Sequence, residues 1–245
     1  MIDLNNHKAE LKQLYVPMLQ KVKESNFAND SCAFCAQWGE HYFELEPKQR
    51  IMFVGRSVNG WINNSLDADV LFGEGNDRIF NRGDQMRWVH EREHDKNKYN
   101  TKRSAFWRVV KKTTEAHLPK INDDWFSHVV WSNLFKVSPN NTGMNPNPKL
   151  RDLQREGCIS IFRKELEIFK PETVIMFTGG WEGFFLKNLM GLDKQNNLPE
   201  PDNVIPWSKY ETKQYFVDNL NIIVTEHPMG KKEELHINAL LELIA

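Results

Sequence analysis

Two apolar runs in this chain stop at glycine: RIMFVG at residues 50–55 and ETVIMFTGG at residues 172–180. Each is too short for a buried helix and rich in β-branched and aromatic residues, so each reads as a strand buried on both faces. Helical spacing fills the chain around them. Residues 8–25 repeat apolar groups at Leu11, Leu14, Tyr15, Met18, Leu19 and Val22, and residues 104–117 set Phe106, Val109, Val110 and Thr113 on one face. Residues 149–170 form a third periodic stretch, which Pro171 closes. FSHVVWSNLF reads as a further strand ending near Asn133, YFVDNLNIIVTEHP carries strand character, and residues 233–244 read as a closing helix. Strands alternating with helices predict an α/β fold, a three-layer α/β/α arrangement around a central, mainly parallel, four-stranded sheet. Residues 134–149 and 195–209, rich in Pro and Asn, read as loops, and residues 55–100 as loop with short helices. With no internal repeat and no linker, residues 1–245 read as a single domain with an N-terminal helical extension over about residues 1–48.

Composition narrows the partners. The net charge is −1, so the molecule as a whole has no pull toward a polyanion, and nucleic-acid affinity must come from a local patch. KNKYNTKRSAFWRVVKK, residues 96–112, is the candidate: seven Lys and Arg, no acid, and Tyr99, Phe106 and Trp107 interleaved. Such a segment tracks phosphates while its rings stack on bases; alternatively it is a solvated helix face with Phe106 and Trp107 in the core. No apolar run approaches bilayer length and the N-terminus lacks a signal pattern, so the expectation is a cytoplasmic monomer with no membrane contact. Three cysteines, an odd number, argue against a disulfide framework.

In parallel sheets of this kind ligands bind beyond the carboxyl ends of the strands. Those ends read Gly55-Arg56-Ser57 with Asn59, then Ser132-Asn133 with Lys136, then Thr178-Gly179-Gly180, then Glu226-His227-Pro228. An Asn, a His and glycine-containing loops on neighbouring strand ends form a stronger signal than any one polar residue where a strand leaves the core.

At these ends the chain resembles the uracil-DNA glycosylase superfamily, most closely its iron–sulfur branch. MFVGRSVNG, RIFNRGDQM, WSNLFKVSPNNTGMNP, CISIFRKELEIFKPETVIMFTGG and EHPMG stand in the family's order. The resemblance implies a glycosylase-like fold that hydrolyses the N-glycosidic bond of uracil or another deaminated base in DNA, with DNA or a nucleobase as partner. A base inside a duplex must first be flipped into a pocket. By this resemblance Phe80 stacks on the base, and Gly55, Arg56, Gly60 and Trp61 line the pocket. Asn133 reads the base edge, since an amide both donates and accepts. His227 donates to the oxygen that becomes anionic. Asn59 and Ser57 position the water. Lys136, Ser138, Lys231 and Lys232 are expected on the DNA backbone, with Lys102 and Arg103 of the basic segment. The departures matter as much. Relatives often carry an acid where Arg56 and Ser57 stand, and neither residue is a general base at neutral pH. Asp67, Asp69, Glu74, Asp77 and Asp84 in the following loop are the remaining carboxylates. This departure supports an alternative, a catalytically inactive module binding a base, nucleotide or DNA on the same fold. Cys32, Cys35 and Cys158 resemble three of the family's four cluster ligands, while the fourth falls at Val137, which cannot ligate. No cofactor is therefore expected, the alternative being a degenerate iron–sulfur cluster or zinc at the three cysteines.

Overall fold

The computed structural model describes residues 4–58, 66–72, 84–95, 99–121, 123–140 and 145–244. Its first elements are helix α1 (Leu4–Lys23), strands β1 (Ser31–Ala33), β2 (Gln37–Trp38) and β3 (Ile51–Gly55), and short helices α2 (Ala68–Phe72) and α3 (Arg87–Glu91). Then come α4 (Ala105–His117), β4 (Val130–Asn133), β5 (Val137–Pro139), α5 (Pro148–Phe169) and β6 (Thr173–Phe177). The chain finishes with α6 (Gly183–Leu189), β7 (Asn203–Trp207), β8 (Tyr210–Val217), β9 (Leu220–Thr225) and α7 (Glu233–Ile244). Backbone contacts divide it into two compact units. The first comprises Met1–Ala36, Arg56–Arg82 and Ser132–Lys170; the second comprises Gln37–Gly55, Gly83–Trp131 and Pro171–Ala245.

The first unit is built on α1 against α5. The expected stripe on α1 is buried at Leu11, Tyr15, Met18, Leu19 and Val22. Its counterpart on α5 is Cys158, Ile161, Phe162, Glu165, Ile168 and Phe169. Each fully buried side chain of leucine size contributes about 1.5–3 kcal/mol. Close approach needs Gly157, where a Cβ would lie 2.8 Å from Met18 Cβ and Cγ. α5 starts cleanly because Asn147 accepts the Leu150 N–H at 2.9 Å and Pro148 fills the first turn. It stops at Lys170, left-handed at φ 45°, before Pro171. β1 and β5 pair antiparallel, with Cys32 opposite Ser138 and Ala33 opposite Val137. β5 lies in a segment whose sequence reads as loop. Part of its pairing comes from a side chain: Gln154 accepts the Val137 N–H and donates to the Val137 carbonyl, both at 2.8 Å.

The larger sheet belongs to the second unit except for the end of β4, Ser132-Asn133, and among the described residues has seven strands in the order β2-β4-β3-β6-β9-β8-β7. β3, β6 and β9 run parallel at its centre and are almost wholly buried, while β8 and β7 continue antiparallel and β2 pairs antiparallel with β4. The fold is thus α/β with a parallel centre, as expected, but the sheet is mixed and seven-stranded rather than four-stranded. Three features account for the difference, the first being the two-residue β2, which lies within the stretch expected as a helical extension. YFVDNLNIIVT is a hairpin, not one strand: Val217 pairs with Leu220 across Asp218-Asn219, and Asp218 takes the positive φ of 54° that a tight hairpin turn requires. β7 falls in a stretch read as loop because it is a largely exposed edge strand, where polar residues and Pro206 are tolerated. α4 buries Phe106, Val109, Val110 and Thr113, the face expected from its periodicity, and packs on α7. Arg108 pairs with Glu233 across that contact. Among the described residues no helix is long and apolar enough to cross a membrane.

Candidate functional site

In the first unit the informative position is the end of β4. Asn133 is 2% exposed, and its Nδ2 has no hydrogen-bond partner among the described residues. Its main-chain carbonyl accepts a hydrogen bond from Lys136 Nζ at 2.7 Å. The same ammonium donates to Ser132 Oγ at 2.7 Å and to Glu165 Oε2 at 2.8 Å, and Ser132 Oγ donates to Glu165 Oε2 at 2.7 Å. Lys136 is fully buried, as is Ser138. Both are therefore corrected as DNA-backbone contacts: a side chain with no exposed surface does not reach a phosphate. Nearby, the Arg56 carbonyl accepts the Phe135 N–H at 3.0 Å, and Ser57 Oγ donates to Asn145 Oδ1 at 3.2 Å. That bond uses the serine hydrogen and leaves its lone pairs able to hold, but not deprotonate, a water. Of the loop carboxylates in this unit, Asp69 is paired with Lys12, and Asp67 faces Lys23 at 3.8 Å and accepts the Asp69 N–H at 2.8 Å.

In the second unit His227 follows β9. Its Nδ1 accepts the Met229 N–H at 3.3 Å, which in the neutral ring puts the proton on Nε2 and makes that atom a donor. The ring stacks beside Phe106 at 6.2 Å. Thr225, the last residue of β9, is firmly held. The Thr225 carbonyl accepts the N–H groups of Thr178 and Gly179, both at 3.1 Å. The Thr225 hydroxyl joins a buried chain in which Trp207 Nε1 donates to Thr212 Oγ1 at 2.8 Å, Thr212 meets Thr225 at 2.9 Å, and Thr225 meets His236 Nε2 at 2.8 Å. His236 lies flat on Trp207 at 4.3 Å, and burial, followed by the charges of Lys231 and His227, lowers its pKa to about 3. Sequence reasoning missed this chain, because threonines facing inward on β8 and β9 look like ordinary strand residues. Beside it lies an open cleft of about 490 Å³, lined by Gly179, Gly180, Glu182, Tyr210 and Glu226 among others. A second cleft, of about 590 Å³, lies at the start of α5 in the first unit and contains none of the expected site residues. Gly55 ends β3, buried. Asp84 is held by Ser127 and by the Met86 N–H, and burial raises its carboxyl above the usual range.

The three cysteines are buried free thiols in the first unit. Burial pushes Cys32 up to about 11, Cys158 up to about 12 and Cys35 well above the ordinary thiol value. Cys158 Sγ donates to Gln154 Oε1 at 3.2 Å and lies 3.6 Å from Met18 Sδ. Val137 stands in β5 with Gln154 on its backbone. This donor set does not match a four-thiolate cluster: the fourth thiolate is missing, and the surroundings favour protonated thiols.

The basic segment divides. Phe106 and Trp107 are core residues, so stacking of these rings on bases is corrected; Tyr99 is exposed. Arg108 pairs with Glu233, and Lys111 faces Glu93 and Glu115. Lys102, Arg103 and Lys232 remain exposed. Lys231 lies 3.7 Å from Glu226 and 4.8 Å over the Tyr210 ring. Asn59, Gly60, Trp61 and Phe80, with Glu74 and Asp77, lie outside the described residues. Compared with protein-family models and with curated proteins, the chain has no match.

Proposed function

We propose that the protein is a uracil-DNA glycosylase-like enzyme that hydrolyses the N-glycosidic bond of uracil or another deaminated base in DNA. The observation that carries the reading is the Asn133 amide. Its Nδ2 has no partner among the described residues, and a buried N–H group left so costs about 1–3 kcal/mol, which supports a ligand that completes it. A base edge offering a carbonyl beside an N–H is such a ligand. In this reading Asn133 selects the base, and the His227 Nε2–H stabilises the charge that develops on the leaving base. Ser57, with its hydrogen committed to Asn145, orients the attacking water. Bond breaking then runs ahead of water attack, since positioning without deprotonation suffices when the sugar already carries positive charge.

The test separates catalysis from binding. Asn133→Ala and His227→Ala are each expected to lower the single-turnover rate on a uracil-containing oligonucleotide by about 100-fold or more. Binding of the same strand is expected to weaken far less, because the lost contacts act in the transition state. Equal losses of binding in both variants, with no turnover in the parent, would instead favour a binding module. The Arg56-Ser57 pair, where the family that the chain resembles often carries an acid, is the feature that points that way.

A further inference from the structure

We propose that Lys136 is a positioning residue, and that the buried Lys136–Glu165–Ser132 cluster exists to aim the Asn133 amide. The inference rests on the base-reading role of Asn133 for its functional meaning. The geometry lies within the first unit.

An ammonium has three hydrogens and no acceptor. Here each hydrogen has its own destination: Glu165 Oε2 at 2.8 Å, Ser132 Oγ at 2.7 Å and the Asn133 carbonyl at 2.7 Å. Glu165 in turn also accepts from Ser132, closing the cluster. Lys136 is 0% exposed and Glu165 is 1% exposed. A buried ion pair of this kind roughly breaks even against apolar side chains of similar volume, so stability alone does not explain it. What an apolar pair would not supply is a charged donor under the Asn133 carbonyl. Asn133 is the last residue of β4. Fixing its carbonyl fixes the backbone frame from which the side chain projects, and Ser132 in the same cluster holds the preceding residue. The side chain so held carries an amide nitrogen with no partner among the described residues. The cluster holds the Asn133 carbonyl and leaves the side-chain amide nitrogen open among the described residues, which is what a preorganised recognition group requires.

The experiment uses the full chain and two variants. Lys136→Met/Glu165→Leu replaces the pair by apolar groups and is expected to keep the fold; Glu165→Gln keeps the volume and weakens the anchor. Two readouts are taken: the side-chain NH₂ resonance of Asn133, assigned by its loss in Asn133→Ala, and turnover of a uracil-containing strand. The double variant is expected to shift or broaden the Asn133 NH₂ signal while the dispersion of other amides persists. It is also expected to lower the rate by about 100-fold, with KM changing far less. Glu165→Gln is expected to move both readouts in the same direction by less. An unmoved Asn133 signal in the two variants, or a folded double variant with parental turnover, overturns the proposal. A parent without turnover would refute the glycosylase reading alone, and the NH₂ signal would still decide whether Lys136 aims the amide.

Discussion

At the scale of single residues, His236 gives the clearest pH dependence. An unfolded histidine titrates near 6.5, whereas the buried ring titrates near 3, chiefly through burial and then through Lys231 and His227. Between those values the unfolded chain binds the extra proton and the folded chain does not. Stability is therefore complete above about pH 6.5 and is lost as pH falls toward 3. The displacement corresponds to roughly 5 kcal/mol. His236→Phe keeps a ring against Trp207 and removes the titration. It is expected to flatten the fall in urea midpoint between pH 7 and pH 4.5, and a parallel fall in parent and variant would contradict this. The cysteines follow the same logic: with Cys158 pushed up to about 12, thiolate is scarce at pH 8. A disulfide reagent is expected to modify the three thiols only as fast as the protein unfolds, and rapid labelling of the native state would contradict their burial.

At the scale of elements, two glycines set how closely the chain packs. A Cβ on Gly39 would lie 2.1–2.3 Å from the Ser127 backbone, which cannot rotate away. Gly39→Ala is expected to destabilise by about 3 kcal/mol or more in a denaturant titration. Gly157→Ala should gain nearly 1 kcal/mol of helix propensity. It nonetheless places its methyl 2.8 Å from Met18 Cβ and Cγ, so a net loss of about 1–2 kcal/mol is expected. The elements most legible in the sequence are those whose own pattern decides them. Helices α1, α4, α5 and α7 lie within a few residues of their expected bounds because each carries an apolar stripe, and β3 and β6 because each is a continuous apolar run. β5 and β7 were not legible as strands. β5 has three residues and borrows its partners from β1 and Gln154, a tertiary effect; β7 is exposed and carries a proline. The β8–β9 turn was readable in principle, since Asp218-Asn219 is a turn pair inside an apolar stretch. Asn133 and His227 were visible as polar groups where strands end. The pairing of Lys136 with Glu165, 29 residues apart, was not. Its one local sign was Glu165, a charged residue, standing on the mostly apolar buried stripe of α5.

At the scale of the whole molecule, a net charge of −1 makes any DNA affinity a matter of a few exposed cations. With Lys136 and Ser138 buried and Lys231 drawn to Glu226, the exposed basic residues among those expected on the backbone are Lys102, Arg103 and Lys232. About three phosphate contacts on duplex DNA imply a slope of log K against log salt near −3, and a flat response would remove these residues from the account. The proposed catalysis is tested by cleavage of end-labelled oligonucleotides carrying uracil, hypoxanthine or xanthine, single- and double-stranded, by the parent and by the His227→Ala variant. Abasic sites formed by the parent at stoichiometric enzyme and lost in the variant are the expected result. No abasic site on any of these strands, or equal cleavage by parent and variant, would contradict the assignment of a glycosylase that works through His227.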